Sequence, residues 1–144
     1  MPQRPISELI AKQTIVTADE SLPVTKAATL MRDAKVGALL VVKGSKLAGI
    51  FTERDALYRV IAAGLDPAKT RLSEVMTSNP ESIPANRPFG HALHLMHERG
   101  FRHVPVVDHG RPVGMVSARD ALGLELKAFE DELQDRDHIT EILG

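Results

Sequence analysis

The sequence predicts two copies of one β-α-β-β-α unit, packed about a pseudo-twofold axis. The first observation is an internal repeat, because the pattern of residues 49–57 returns at residues 114–122. A repeat at a fixed period is typical of duplicated supersecondary units. The second observation is that each copy alternates short β-branched runs with stretches of helical periodicity. The third is size: one unit of roughly 60 residues makes a marginal core alone, so the copies are expected to pack together, sheet against sheet or helix.

The first copy is predicted to form a short helix, then a strand, a helix, a hairpin and a second helix. Apolar residues at helical spacing, including Val24, Ala27 and Met31, indicate the first long helix. The turn-forming residues 43–46 indicate the hairpin. Thr52 opens the last helix. The predicted bounds are 6–12 (helix), 15–17 (strand), 21–33 (helix), 38–42 and 47–51 (strands) and 52–63 (helix).

The second copy follows the same order after a short polar linker at residues 66–71. Gly100 ends its first long helix, and residues 108–110 form its hairpin turn. Ser117 is predicted to open its last helix. The predicted bounds are 72–76 (helix), 82–83 (strand), 88–99 (helix) and 103–107 and 112–116 (strands). The first repeat therefore spans residues 6–64, the second residues 72–124, and a helical tail residues 125–144.

The tail has an apolar stripe on an otherwise acidic helix. Leu122, Leu126, Phe129 and Leu133 recur at helical spacing. Two interpretations stay open: the helix packs back on its own domain, or it docks a second protomer or another partner. The final turns add an apolar edge made of Ile139, Ile142 and Leu143.

The composition excludes several classes of function. Eighteen basic and nineteen acidic residues give a net charge of -1, so no overall field attracts nucleic acid or an anionic membrane. The lack of cysteine excludes disulfides, thiolate metal sites and cysteine nucleophiles. No apolar stretch is long enough for a membrane span, and the first residues lack the apolar part of a signal peptide. We therefore expect a cytoplasmic protein.

The residues with binding chemistry lie where a strand passes into a helix, and this junction occurs twice. Each junction reads hydroxyl-x-Arg-Asp. The hydroxyl, the arginine and the helix start favour a phosphate, whereas the carboxylate accepts hydrogen bonds from paired ribose hydroxyls. A capping box, in which hydroxyl and acid only close the helix end, explains the same residues and stays open. The two sets are Thr52, Arg54 and Asp55 in the first copy, and Ser117, Arg119 and Asp120 in the second.

The repeat and its junctions resemble a tandem pair of cystathionine β-synthase (CBS) domains, also called a Bateman module. The resemblance covers residues 6–124 and depends on two Gly-apolar-apolar-Thr/Ser-x-x-Asp endings and on Arg-His-Val-Pro-Val-Val-Asp at residues 102–108. It implies an α+β fold with two clefts between the copies. In the family these clefts bind adenosine-bearing ligands, namely AMP, ADP, ATP, NAD or S-adenosylmethionine.

The resemblance also implies a role for each site residue. The hydroxyl of each junction contacts phosphate, its aspartate contacts ribose, and Arg102 and His103 approach phosphate. Residues 36–38 of the first copy lack both basic side chains, so the two clefts cannot be equivalent. The residues implied to line the adenine pockets are Ile15, Val16, Thr17, Val36, Gly37 and Ala38 in the first copy, and Glu81, Ser82, Ile83, Val104 and Pro105 in the second.

We expect a stand-alone regulatory module that binds an adenine nucleotide, as in energy sensing, and signals to an unidentified protein partner by a conformational shift. The resemblance implies a homodimer. Phosphate-loop, dinucleotide-fingerprint, zinc-protease and nucleophile-elbow motifs are absent, so neither an enzyme nor a catalytic cofactor is expected. The first alternative is a ligand-free dimerisation scaffold.

The second alternative is a histidine-dependent metal-binding protein. His91, His94 and His97 recur at every third position of one predicted helix. The outer two diverge by about 120° around the helix axis, so one ion cannot bind all three. A solvated helix face is the preferred interpretation of these residues, and the turn residue His109 and the tail residue His138 are also expected to face solvent.

Overall fold

The chain folds as two β-α-β-β-α units and a C-terminal helix, which confirms the predicted α+β fold class. A computed structural model describes the backbone of residues 4–143 and the side chains of residues 4–122 and 125–136. The elements are α1 (Ile6–Ile10), β1 (Thr17–Asp19), α2 (Val24–Ala34), β2 (Ala38–Lys43), β3 (Lys46–Thr52), α3 (Glu53–Asp55) with a π-helical continuation (Ala56–Ile61), α4 (Leu72–Val75), β4 (Thr77–Ser78), α5 (Phe89–Arg99), β5 (His103–Asp108), β6 (Arg111–Ser117), a 3-10 turn (Ala118–Asp120) and α6 (Gly123–Leu143).

The two repeats build their sheets around equivalent hairpins. In the first repeat the strand order is β1-β2-β3-β4, with β1 parallel to β2 and the other pairs antiparallel. In the second, β5 and β6 form an antiparallel pair, and Ile83 adds one parallel bridge to Val106. Both hairpins have a register shift at the same repeat position, after Val41 and after Val106. The duplication therefore extends to the irregularities of the sheet.

Several element bounds differ from the prediction, because partners outside the local sequence set them. The first strand is Thr17–Asp19 rather than 15–17, since pairing with β2 decides where it lies. At 82–83 only Ile83 pairs, through its single bridge. Ser117 opens a 3-10 turn instead of a helix. At its end, the carbonyl of Asp120 accepts a hydrogen bond from Arg4 Nη2 at 2.8 Å, so its partner is a distant side chain. No sequence pattern indicated β4.

Each repeat is completed by a helix that the sequence assigns to the other. The first core, around Phe51 and Val60, includes Leu72 and Val75 of α4. The second core, around Phe89, Val104 and Val116, includes Ile6 of α1, which is fully buried. The leading helix of each repeat therefore crosses to the partner repeat, which agrees with the expectation that neither unit is self-sufficient.

Two glycines at the same repeat position make this exchange possible. A Cβ on Gly49 would lie 2.8 Å from the Thr77 carbonyl oxygen, where β4 pairs with β3. A Cβ on Gly114 would lie 2.6 Å from Ile10 Cγ2, at the end of α1. Separations this short exclude a side chain, so glycine is required for the close approach of each crossing segment.

The two sheets meet in a central cluster made of Ala38, Leu40 and Ile50, with Leu47 and Met115 packed against it. The hairpin turns also touch, because Leu47 N donates a hydrogen bond to Gly110 O at 2.9 Å. The repeats are therefore packed sheet to sheet, and ligand clefts can form only at the margins of this contact.

The first half of α6 packs back on the second core, as one of the two interpretations of the tail predicted. Phe129 is 8% exposed and joins that core, whereas Leu122 and Leu126 are exposed. His94 of α5 lies 2.8 Å from Glu132 through its Nε2 atom. The predicted apolar edge of Ile139, Ile142 and Leu143, together with His138, lies outside the described side chains. Within residues 4–143, no helix combines the length and the hydrophobicity that a membrane span requires.

Candidate functional site

A cavity of about 790 Å³ lies between the repeats, at the margin of the central cluster. Its floor is the end of β3 and the first turn of the following helix, one wall is the chain after β4, and the opposite wall is the chain between α5 and β5. This volume is in the range typical of small-molecule sites. The predicted site residues that line it are Gly37, Thr52, Arg54, Asp55, Arg102 and His103.

The first junction forms the capping box that the sequence left open. Thr52 N donates to Asp55 Oδ2 at 3.0 Å, and Asp55 N donates to Thr52 Oγ1 at 3.1 Å. This exchange uses one carboxylate oxygen of Asp55. The other, Oδ1, has longer contacts of 3.4 Å to Thr77 Oγ1 and 3.5 Å to Arg59 Nε. Capping therefore leaves acceptor capacity on a carboxylate that is only 7% exposed as a residue and lines the cavity.

The second junction has the same local pattern in a different setting. Ser117 N donates to Asp120 Oδ2 at 2.7 Å. Ser117, Arg119 and Asp120 are not among the residues that line the 790 Å³ cavity. The N-terminal segment lies against this side of the molecule, because Gln13 bonds the backbone of Met115 through both its amide oxygen and its amide nitrogen, at 2.8 and 2.7 Å. The structure therefore separates the two junctions that the repeat makes equivalent.

His103 lies where charges from both repeats converge. Burial lowers its pKa from the ordinary value of 6.5, and the neighbouring Arg102 and the more distant Arg119 lower it further. Glu53 of the first repeat and Asp120 of the second act in the opposite direction. The imidazole is therefore predominantly neutral at neutral pH. An anion bound beside it would favour its protonated form.

Of the remaining predicted pocket residues, only Glu81 is among those that line the 790 Å³ cavity. Ile83 and Val104 belong to the second core, and Ala38 to the central cluster. Thr17, on β1, pairs with Leu40 of β2 and is exposed. The ligand role of these residues stays a prediction. The others in this group are Ile15, Val16, Val36, Ser82 and Pro105.

Other residues line the cavity although sequence reasoning did not select them. Tyr58 and Arg59 follow Asp55 by three and four positions, so helical spacing could have placed them on the same face. Thr77 and Asn79 reach the cavity because β4 pairs with β3, which no local pattern indicated. The missing information was therefore a long-range strand pairing.

Of the three histidines that the sequence placed on a solvated helix face, His97 is exposed, whereas His94 is largely covered. The His94 side chain is only 20% exposed, and its ring meets Phe129 edge-on with centroids 4.8 Å apart. His97 also contacts Phe129, at 6.0 Å. Phe129 of the α6 stripe therefore makes His94 a packing residue. Among the described side chains, no group of three or more His, Asp or Glu residues is placed to hold a metal ion.

The fold is a tandem pair of related domains with a cleft between them, and comparison with known families identifies it. The family model described as CBS domain matches residues 6–62 and again residues 72–127. The chain belongs to the CBS domain family, as a tandem pair.

Known proteins and structures support this assignment. The CBS domain-containing protein CBSCBSPB3 of Arabidopsis thaliana is 38% identical over 105 residues, which cover 68% of this chain and 19% of that protein. The chain spans about a fifth or less of the length of the first curated relatives it matches.

Two solved CBS structures hold adenosine compounds. The CBS domain protein PAE2072 from Pyrobaculum aerophilum, complexed with AMP, has a TM-score of 0.78 and 25% identity, covering 88% of this chain and 98% of that one. The CBS domain pair of protein MJ0100, in complex with 5′-methylthioadenosine and S-adenosyl-L-methionine, has a TM-score of 0.74 and 26% identity, covering 83% and 93%.

Proposed function

We propose that this domain pair binds an adenine nucleotide, namely AMP, ADP, ATP or NAD, in the 790 Å³ cavity between its repeats. The observation that carries the proposal is the arrangement around Asp55. A buried carboxylate with spare acceptor capacity and a set of basic side chains line the same cavity. Similar solved structures with bound AMP or S-adenosyl-L-methionine support the adenosine part.

The chemistry of the cavity suits the two ends of such a ligand. The Asp55 carboxylate accepts hydrogen bonds from vicinal ribose hydroxyls. Arg54, Arg102 and His103 supply donors for phosphate oxygens, and bidentate arginine contacts to phosphate are strong. Tyr58 and Phe101 offer apolar surface to a base.

Ligand binding can have a regulatory effect because the walls of the cavity come from both repeats. A ligand in this cavity contacts side chains of both repeats, so it favours the mutual arrangement in which both walls reach it. It can shift that equilibrium only by its differential affinity for the two arrangements. We propose that this shift is passed, without catalysis, to a second protomer in a homodimer or to another protein partner.

A thermal-shift series with AMP, ADP, ATP and NAD tests the proposal. A ligand at 100 times its Kd adds about 2.7 kcal/mol of stability, and each kcal/mol moves the Tm by roughly 2–4 °C at this chain length. Wild type should therefore shift by about 5–11 °C with the preferred nucleotide.

The informative variant is Asp55→Asn, which retains an acceptor for the cap but removes the charge. Its nucleotide response should fall sharply. Asp33→Asn, in an exposed pair with Arg32, is the matched control and should respond like wild type. A ligand-free scaffold would show no shift with any nucleotide, and that result would overturn the proposal.

A further inference from the structure

We propose that Arg59 is a positioning residue that holds the Asp55 carboxylate ready for a ribose diol, and that the Asp55 cavity therefore selects ribonucleotides. This inference rests on the proposed function and deepens it. Arg59 lies one helical turn after Asp55 and lines the same cavity. Nothing in the repeat pattern marks it, because the equivalent position in the second copy, 124, is leucine.

The guanidinium joins two elements from different parts of the chain. Its Nη1 atom donates to Met76 O at 2.9 Å, at the end of α4, and lies 3.4 Å from Val75 O. Its Nε atom lies 3.5 Å from Asp55 Oδ1. Anchored on α4 carbonyls, the planar group has a fixed orientation, and it faces the carboxylate oxygen that the capping box does not use.

These contacts restrict how the Asp55 carboxylate can turn. Oδ2 is held by the Thr52 N–H at 3.0 Å, and Oδ1 faces Arg59 and the Thr77 hydroxyl, which lies 3.4 Å away. The contacts to Oδ1 are longer than ordinary charge-assisted hydrogen bonds. They therefore orient the oxygen without filling its acceptor sites, so a ligand hydroxyl can still bind there.

The exposure of the pair argues for orientation rather than stability. The Arg59 side chain is 51% exposed, against 9% for that of Asp55. Solvent-exposed ion pairs contribute little to folding, because water screens them. What Arg59 adds is a fixed direction for a buried acceptor, and preorganised acceptors raise affinity by lowering the ordering cost of binding.

The second repeat is the internal comparison. Position 11, the repeat equivalent of Thr77, is alanine, and position 124 is leucine where the first copy has Arg59. The hydrogen bonds described for the Asp120 carboxylate both come from Ser117. Two junctions with the same Arg-Asp ending thus differ in what supports the carboxylate, and the supported one lines the cavity.

Isothermal titration of wild type and Arg59→Met with AMP and with 2′-deoxy-AMP tests the inference. Wild type should bind AMP about tenfold more tightly than 2′-deoxy-AMP, the factor that one hydrogen bond to a charged group supplies. Arg59→Met should lose most of this ratio, because AMP affinity falls about tenfold while 2′-deoxy-AMP affinity changes less than about twofold. Arg32→Met, an exposed arginine paired with Asp33, should keep the wild-type ratio.

A second variant covers the case in which Arg59→Met unfolds at the assay temperature. Thr77→Val keeps the side-chain shape, removes the other contact to Asp55 Oδ1, and should lower the ratio by a smaller factor. A wild type that binds neither nucleotide overturns both the proposed function and this inference. A ribose preference that persists in the variants overturns this inference alone, and so does an equal loss for both nucleotides, which would show a purely structural role.

Discussion

Replacing Phe129 with alanine tests whether α6 is a structural part of the domain. The side chain is 8% exposed, lies in the second core and meets the His94 ring at 4.8 Å. Truncating a core phenylalanine to alanine costs about 3–5 kcal/mol, and the lower end applies because α6 covers the core from outside. We therefore expect a loss of about 3 kcal/mol, or roughly 6–12 °C in Tm.

Urea unfolding followed by circular dichroism measures this loss directly, and an unchanged m-value would show that stability alone has changed. The matched control is Leu126→Ala, three residues earlier on α6, where the side chain is 44% exposed. It should cost less than about 1 kcal/mol. Equal losses in the two variants, or a loss below about 1 kcal/mol for Phe129→Ala, would refute the packing of α6 described above and favour a helix that docks elsewhere.

Two further predictions concern a backbone conformation and a titration. Lys35→Gly should stabilise the protein by about 1 kcal/mol in urea unfolding, because Lys35 ends α2 with a left-handed φ of 58°. The equivalent position at the end of α5 is Gly100. A loss of stability in the variant would contradict this prediction. Because burial and Arg102 lower the pKa of His103 from 6.5, its contribution to stability is full above pH 6.5 and decreases as the pH falls toward the folded-state pKa. The difference in unfolding free energy between wild type and His103→Gln should therefore shift against wild type below pH 6.5, and a difference independent of pH would contradict the assignment.

The sequence was informative wherever local chemistry decides the structure. The junctions at Thr52 and Ser117 were found from four-residue patterns. Thr52 and Asp55 form both bonds of a capping box, and Ser117 N donates to Asp120 in the same way as Thr52 N to Asp55. The helix ends at Gly100 and the hairpin at residues 43–46 follow from turn chemistry in the same way. Each of these features involves residues only a few positions apart.

The features that were missed depend on contacts between distant residues. Nothing near Thr77 indicates that it pairs with β3 and reaches the cavity, since a two-residue strand has no periodicity to detect. His94 was interpreted as solvated because the α5 pattern alone does not show that Phe129 covers it. Arg59 had a helical position that could be predicted, but its role depends on the Met76 carbonyl, which only the fold brings near.

The crossing of α1 and α4 sets the order in which the molecule can be assembled during synthesis. β3, on which α4 docks, is translated shortly before α4, so the first repeat can close as soon as α4 has emerged from the ribosome. The docking site of α1 (Ile6–Ile10) is on β6 (Arg111–Ser117), so α1 is translated long before the strand on which it docks. Until then the apolar side of α1, including Ile6, stays uncovered, and cutting the chain between the repeats would leave both halves without a helix they need.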